Sequence, residues 1–167
     1  MSTYTSSLNV IPSNNYNIPQ PGNIVKVAAA TGSSTTLLKG VGTEFTAKKT
    51  RPLGYTINGG DIIYNETQNV SYQVVKVVDD LTIEISTAAV AIAAGDACLI
   101  YKGNVAGSEG YSLYFGVGGD VKVDDVSGNT VQLIGIPAGK VIDLQVVKVY
   151  SSSPTPPASI VAWEKTN

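Results

Sequence analysis

Two adjacent carboxylate pairs, Asp79-Asp80 and Asp124-Asp125, are the residues best equipped by type for acid–base chemistry. A glycosidase needs two carboxyls facing one cleft at roughly 5–9.5 Å. Neighbours on a strand point to opposite faces, so neither pair meets that need by itself. Aspartate also forms turns, and turn or solvent-edge duty is the reading adopted for both. Loop carboxylates suit calcium, but no Asp-x-Asp-x-Asp-Gly loop is present and no metal is expected.

Other nucleophiles lack a partner. The chain has no histidine, which removes the commonest general base and the commonest metal ligand together. Ser127 and the Ser151–Ser153 run therefore have nothing of that kind to activate them. Cys98 lies between Ala97 and Leu99 in a strand-like pattern and reads as a buried core thiol rather than a nucleophile. Gly116-Val117-Gly118-Gly119 is glycine-rich, but no helical pattern follows to set a helix N-terminus at a phosphate, so a strand bend is expected. Lys48-Lys49-Thr50-Arg51 is the single basic cluster and reads as a solvated loop. No enzyme and no cofactor is expected.

What must position these residues is β structure. The 167 residues are 43% apolar but only 14% charged, against about 25% in an average globular chain. Gly, Ser, Thr, Asn and Val fill the difference, as in all-β proteins that bury much surface in assembly or live outside the cell. A net charge of −2 gives no pull toward phosphates, so nucleic acid is not an expected partner. No apolar run approaches the ~20 residues that span a bilayer, and no signal-peptide pattern opens the chain, so folding in a cytoplasm without membrane contact is expected.

Three segments follow. Residues 1–23 form an N-terminal arm, where Pro12, Pro19 and Pro21 exclude a central strand or helix. It is either a loose tail or an extended arm held by its own body or by another subunit, with Val10, Ile11 and Ile18 as anchors. Residues 24–103 form a β module with strand candidates at 24–29, 36–39, 61–64, 70–78, 81–85 and 96–101. Asp79-Asp80 is its hairpin turn, and 88–94 is an irregular connection or a single helical turn. Residues 104–167 form a C-terminal β domain that packs with the arm. Val121/Val123 and Val131/Leu133 alternate there with polar residues, a long strand covers 141–150 and a last one 160–163. The fold class is thus all-β: two small β-sandwich or barrel-like units, one inserted in the other, with an extended N-terminal arm.

Nine tyrosines accompany only two phenylalanines and one tryptophan. Strand preference accounts for this, and so would half-wet interfaces where a ring packs while its hydroxyl stays bonded. Tyr4, Tyr16, Tyr111, Tyr114 and Tyr150 flank the arm and the C-terminal domain. With Val10, Ile11, Ile18 and Trp163, whose other reading is core or end-cap packing, Tyr16, Tyr111, Tyr114 and Tyr150 are the candidate subunit or shell contacts.

The stretch Ser112-Leu113-Tyr114-Phe115-Gly116-Val117-Gly118-Gly119-Asp120-Val121-Lys122-Val123 resembles the opening of the head spike base proteins of tailed phages and gene transfer agents. The likeness continues through Val131–Leu133, Ile136-Pro137-Ala138-Gly139, residues 141–149 and Ala158-Ser159-Ile160-Val161-Ala162-Trp163. Val10-Ile11-Pro12-Ser13-Asn14 through Ile18-Pro19 is similar to that family's arm. Residues 24–110 depart from it. Their Gly40-Val41-Gly42-Thr43-Glu44-Phe45-Thr46, Gly60-Asp61-Ile62-Ile63, Tyr72-Gln73-Val74 and Leu81-Thr82-Ile83 resemble small β modules of phage structural proteins.

The resemblance implies a virion structural protein on the capsid exterior, assembled in the host cytoplasm: a capsid decoration or cement protein, or a head-fibre or spike base. Its partners would be the major capsid protein, further copies of itself as a homotrimer or homopentamer, and head-fibre or spike proteins. The base-like part would dock and the insert would project. The alternative is a tail or baseplate adhesin whose inserted module binds carbohydrate through Tyr55, Tyr64 and Tyr72, which core packing explains as well.

Overall fold

The computed structural model describes residues 3–19, 25–42, 45, 56–103, 110–152 and 154–166. Among these there is no helix, and the fold is all-β. The chain separates into two compact units, residues 1–22 with 104–167 and residues 23–103.

The first unit carries β1 (Thr3–Asn9), β8 (Tyr111–Phe115), β9 (Gly119–Asp125), β10 (Thr130–Ile136), β11 (Lys140–Val149) and β12 (Ile160–Thr166). They form one antiparallel sheet in the order β1-β12-β8-β11-β9-β10. Period-2 alternation sets its core face. Tyr111, Leu113 and Phe115 of β8 are buried, beside Ile160 and Ala162 of β12 and Val121 and Val123 of β9. The arm belongs to this unit. β1 pairs with β12, placing Leu8 beside Ala162, and the following residues cross the end of β11. There the Ser13 and Ile18 amides donate to the Val149 and Val147 carbonyls, each at 2.8 Å.

The second unit carries β2 (Val25–Ala28), β3 (Leu37–Lys39), β4 (Ile62–Asn65), β5 (Val70–Asp79), β6 (Thr82–Ile85) and β7 (Ala97–Tyr101). Their order is β2-β7-β4-β5-β6-β3. The sheet curls until its two outer strands meet: Ala29 bridges Gly40, with the Ala30 amide on Lys39 O at 2.7 Å and the Val41 amide on Ala28 O at 3.0 Å. Inside lie Leu38, Ile63, Tyr72, Val74, Ile83, Ile85, Cys98 and Ile100, with Phe45, Ile57 and Ile92 from the connections. Residues 88–94 are irregular and contribute Ile92 to this core.

Two turns of the second unit are built alike. In Asn58-Gly59-Gly60-Asp61, Asp61 accepts the Asn58 amide at 2.9 Å and returns its own amide to Asn58 O at 3.2 Å. In Ala93-Ala94-Gly95-Asp96, Asp96 does the same with Ala93 at 2.9 and 3.2 Å. The glycine before each aspartate has a left-handed φ, +97° at Gly60 and +90° at Gly95, which a Cβ would disfavour. Both carboxylates are buried and bonded again, Asp61 by the Gly103 amide at 3.0 Å and Asp96 by Asn65 Nδ2 at 2.7 Å.

Candidate interaction surface

The strands of the first unit bring two of the expected contact residues together. Tyr114 pairs with Val161 across the β8–β12 ladder, and Trp163 pairs with Ser112. The two aromatic rings are diagonal neighbours on the face opposite the core, stacked at 5.5 Å between centroids and 17° apart. Both are half-buried. Val161 and Val141, each opposite Tyr114, lie on the same face, with exposed Ser7 and Asn9 at its margin. Beneath the pair the buried Ser112 hydroxyl donates to Asp143 Oδ1 at 2.7 Å. The surface combines an aromatic–aliphatic centre with a polar rim, the composition of a protein-docking patch.

Tyr150 belongs to a second cluster. Its hydroxyl donates to Asp124, which also accepts the Thr130 hydroxyl at 2.7 Å and pairs with Lys148 Nζ at 3.4 Å. Lys122 and Lys148 set their ammonium groups 4.6 and 5.3 Å from the Tyr150 ring centroid. Both cations lie within cation–π range of one ring. Burial pushes the Asp124 carboxyl up, but the bonds from Thr130, Tyr150 and Lys148, with the Lys148 charge, outweigh it and hold the group below the usual range.

Four arm and strand residues are placed as follows. Val10, Ile11 and Tyr16 are half-buried along the arm; the Val10 amide donates to Ile160 O at 2.8 Å and the Tyr16 amide to Ser13 Oγ at 3.1 Å. Ile18, at 1% exposure, is a core residue of its own unit, which corrects its assignment as a contact. Tyr111 is corrected likewise. At 3% exposure it lies on the core face, where burial first and Glu164 second push its hydroxyl up to about 12. The side chain of Tyr4 lies outside the described residues.

The rejected chemical groups have structural partners. Asp79 Oδ1 accepts the Leu81 amide at 2.8 Å in the β5–β6 turn. Asp125 Oδ1 accepts the Ser127 and Asn129 amides, both at 2.9 Å, in the β9–β10 turn. Cys98 is 1% exposed, and burial with Asp96 and Glu66 pushes its thiol up to about 12. Lys48-Lys49-Thr50-Arg51 lies outside the described residues.

The two described carbohydrate-site tyrosines do not meet on a surface. Tyr72 is wholly buried in the second unit's core, its hydroxyl on Val90 O at 3.2 Å. Tyr64 is half-buried and donates to Asn69 Oδ1 at 2.8 Å, and Tyr55 lies outside the described residues. The Tyr114–Trp163 stack was missed as a pair, although the sequence held a signal. Tyr111 and Tyr114 are three apart on one strand, so only one of them can face outward. Comparison with protein-family models, with curated proteins and with solved structures finds no match to the chain.

Proposed function

We propose that this chain is a structural protein of a tailed-phage particle, a capsid decoration or cement protein or a head-fibre or spike base, seated on the major capsid shell. One observation carries the reading. The stretches that resemble the head spike base family, at the arm and after residue 111, build a single sheet, while the intervening 23–103 has a core of its own. An arm-and-body unit with a module spliced into its chain is how a docking base acquires an ornament. The outward Tyr114–Trp163 patch supports it further, since an aromatic centre inside a polar rim suits a surface that seats against another subunit. The adhesin alternative has less support, because Tyr72 is spent in the core.

The test is to purify particles and count copies of the chain. A decoration protein occurs in dozens to hundreds of copies and binds empty heads that lack tails. A chain found in a few copies on isolated tails, or missing from particles, overturns the proposal.

A further inference from the structure

Among the described residues β10 is the outermost strand of the first unit's sheet and is bonded on one side to β9 alone. The neighbouring ladders reveal which of its backbone groups face outward. The Tyr150 amide donates to the Lys122 carbonyl at 2.9 Å, so Lys122 turns its backbone groups toward β11. Successive residues of a strand alternate in that direction, so Val123 turns toward β10 and meets Val131. The Asp125 amide, donating to Asn129 O at 3.0 Å, keeps the same phase. Thr130 and Gln132, opposite Asp124 and Lys122, therefore aim amide and carbonyl away from the sheet.

The side chains of this edge are also incompletely covered. Val131 and Leu133 continue the core strip of Val123 and Val121 but stay half-buried at the margin. Ile134 is 74% exposed, the highest value among the described large apolar side chains. The regular edge ends there. Ile134 and Gly135 bulge opposite Asp120, whose Oδ1 accepts the Gly135 amide at 2.7 Å. Natural edges are blunted by charge, proline or bulges; β10 has its bulge only at this end, and Thr130-Val131-Gln132-Leu133-Ile134 carries neither charge nor proline.

We propose that β10 pairs antiparallel with β10 of a second copy, about a two-fold axis through Gln132. This register sets Gln132 against Gln132, Val131 against Leu133 and Thr130 against Ile134. The amides and carbonyls of Thr130 and Gln132 are the ones already turned outward. Val131 and Leu133 gain apolar partners on the core face, and no charge meets its own mate across the axis. Other edges fit less well. β1 has a register shift between Tyr4 and Ser6, and its Leu8 is already buried. β2 and β3 are joined to each other through Ala29 and Gly40. A five-residue strand pair buries far less than the roughly 1,200–2,000 Å² of a standard interface, so the dimer is weak and concentration-dependent. It is a property of the chain in solution and holds whatever particle carries it.

The test is sedimentation velocity on the full chain from low-micromolar to millimolar concentration, with amide exchange read residue by residue. The expected result is a growing dimer fraction. Exchange at Thr130 and Gln132 slows severalfold with concentration, while Val131 and Leu133, bonded to β9, stay protected throughout. Gln132→Pro removes a donor that the β9 ladder does not use, and Gln132→Lys sets two cations on the axis. Both should sediment as monomers with wild-type melting. Should the proline variant fail to fold, the lysine variant decides alone. A wild type that stays monomeric, a dimer that persists in folded Gln132→Lys, or slowing without the alternation overturns the proposal.

Discussion

Tyr150, the residue after β11, is bonded to Asp124 of β9, the phenol donating to both carboxylate oxygens at 3.0 and 3.1 Å. Thr130 reaches the same carboxylate from β10 and Lys148 from β11, so one aspartate ties three strands together. Their side chains pack the polar face of the sheet where Val121, Val123 and Val149 pack the apolar one. Charge-assisted bonds to a partly covered carboxylate are stronger than neutral ones, and several converge here.

Acid should loosen this clasp. Asp124 is held below the ordinary carboxylate range, so its contribution is complete above that range and disappears as pH falls through the lower folded-state value. Asp125, held down by its bonds to Asn129 and to the turn amides, titrates in the same direction. Asp124→Asn should cost about 1.5–3 kcal/mol at neutral pH, the worth of a hydrogen bond to a charged group. The deficit should shrink toward zero at low pH, where wild-type Asp124 is neutral too. Urea melts of both proteins across the acid range check this; a deficit that does not change with pH refutes it.

The Tyr114–Trp163 stack should be measurable as a coupling. Replacing either by Leu keeps apolar area but ends the ring–ring contact. A double-mutant cycle should return about 0.5–1.5 kcal/mol. Trp163 is the sole tryptophan, so its fluorescence reports the loss directly. On the proposed seating against a capsid shell, Trp163→Asp should lower occupancy on heads while leaving the unit folded, because the ring is only half-buried. Unchanged occupancy would remove this patch from the docking surface.

Cys98 should be inert. Its thiol is pushed up to about 12, so the thiolate that reacts with alkylating agents is nearly absent at pH 8, and the sulfur is buried besides. Labelling at pH 8 should proceed only as fast as the second unit opens. Adding denaturant below the unfolding transition should accelerate it. Rapid labelling of the native chain would show the core packing to be wrong.

Strand composition was the legible part. β-branched runs between turn residues located the strands of the second unit to within a residue or so, because branched side chains suit the pleat and Gly and Asp punctuate it. The β5–β6 turn was readable for the same reason, one residue early: Asp79 pairs with Thr82 and the turn is Asp80-Leu81. Less visible was what alternation leaves open, namely which neighbouring strand each face meets. Nothing local to Ile18 chooses between its own body and another subunit as the surface it anchors on, and its amide bond to Val147 O of β11 appears only in three dimensions. Tyr72 looked available for a ligand because burial inside a curled sheet depends on closure by Ala29 and Gly40, dozens of residues away. The reciprocal turn bonding at Gly60-Asp61 and Gly95-Asp96 appears only in three dimensions.

That turn bonding makes Gly103 a sensitive position in the second unit. Its amide is bound by Asp61 Oδ1, and a Cβ there would overlap the Gly60 carbonyl oxygen, which is backbone and cannot rotate aside. Residues 23–103 have their own core and a sheet whose margins are joined, so the fragment should fold alone and unfold in one cooperative step. Within it Gly103→Ala must push apart the chain end and the Asn58–Asp61 turn, costing about 1–3 kcal/mol as overpacking does. The Asp61 clamp would be weakened by the same displacement. Calorimetry of the fragment with and without the substitution measures this. A fragment that melts without a cooperative transition, or an alanine variant as stable as its parent, contradicts the account of an autonomous unit closed at residue 103.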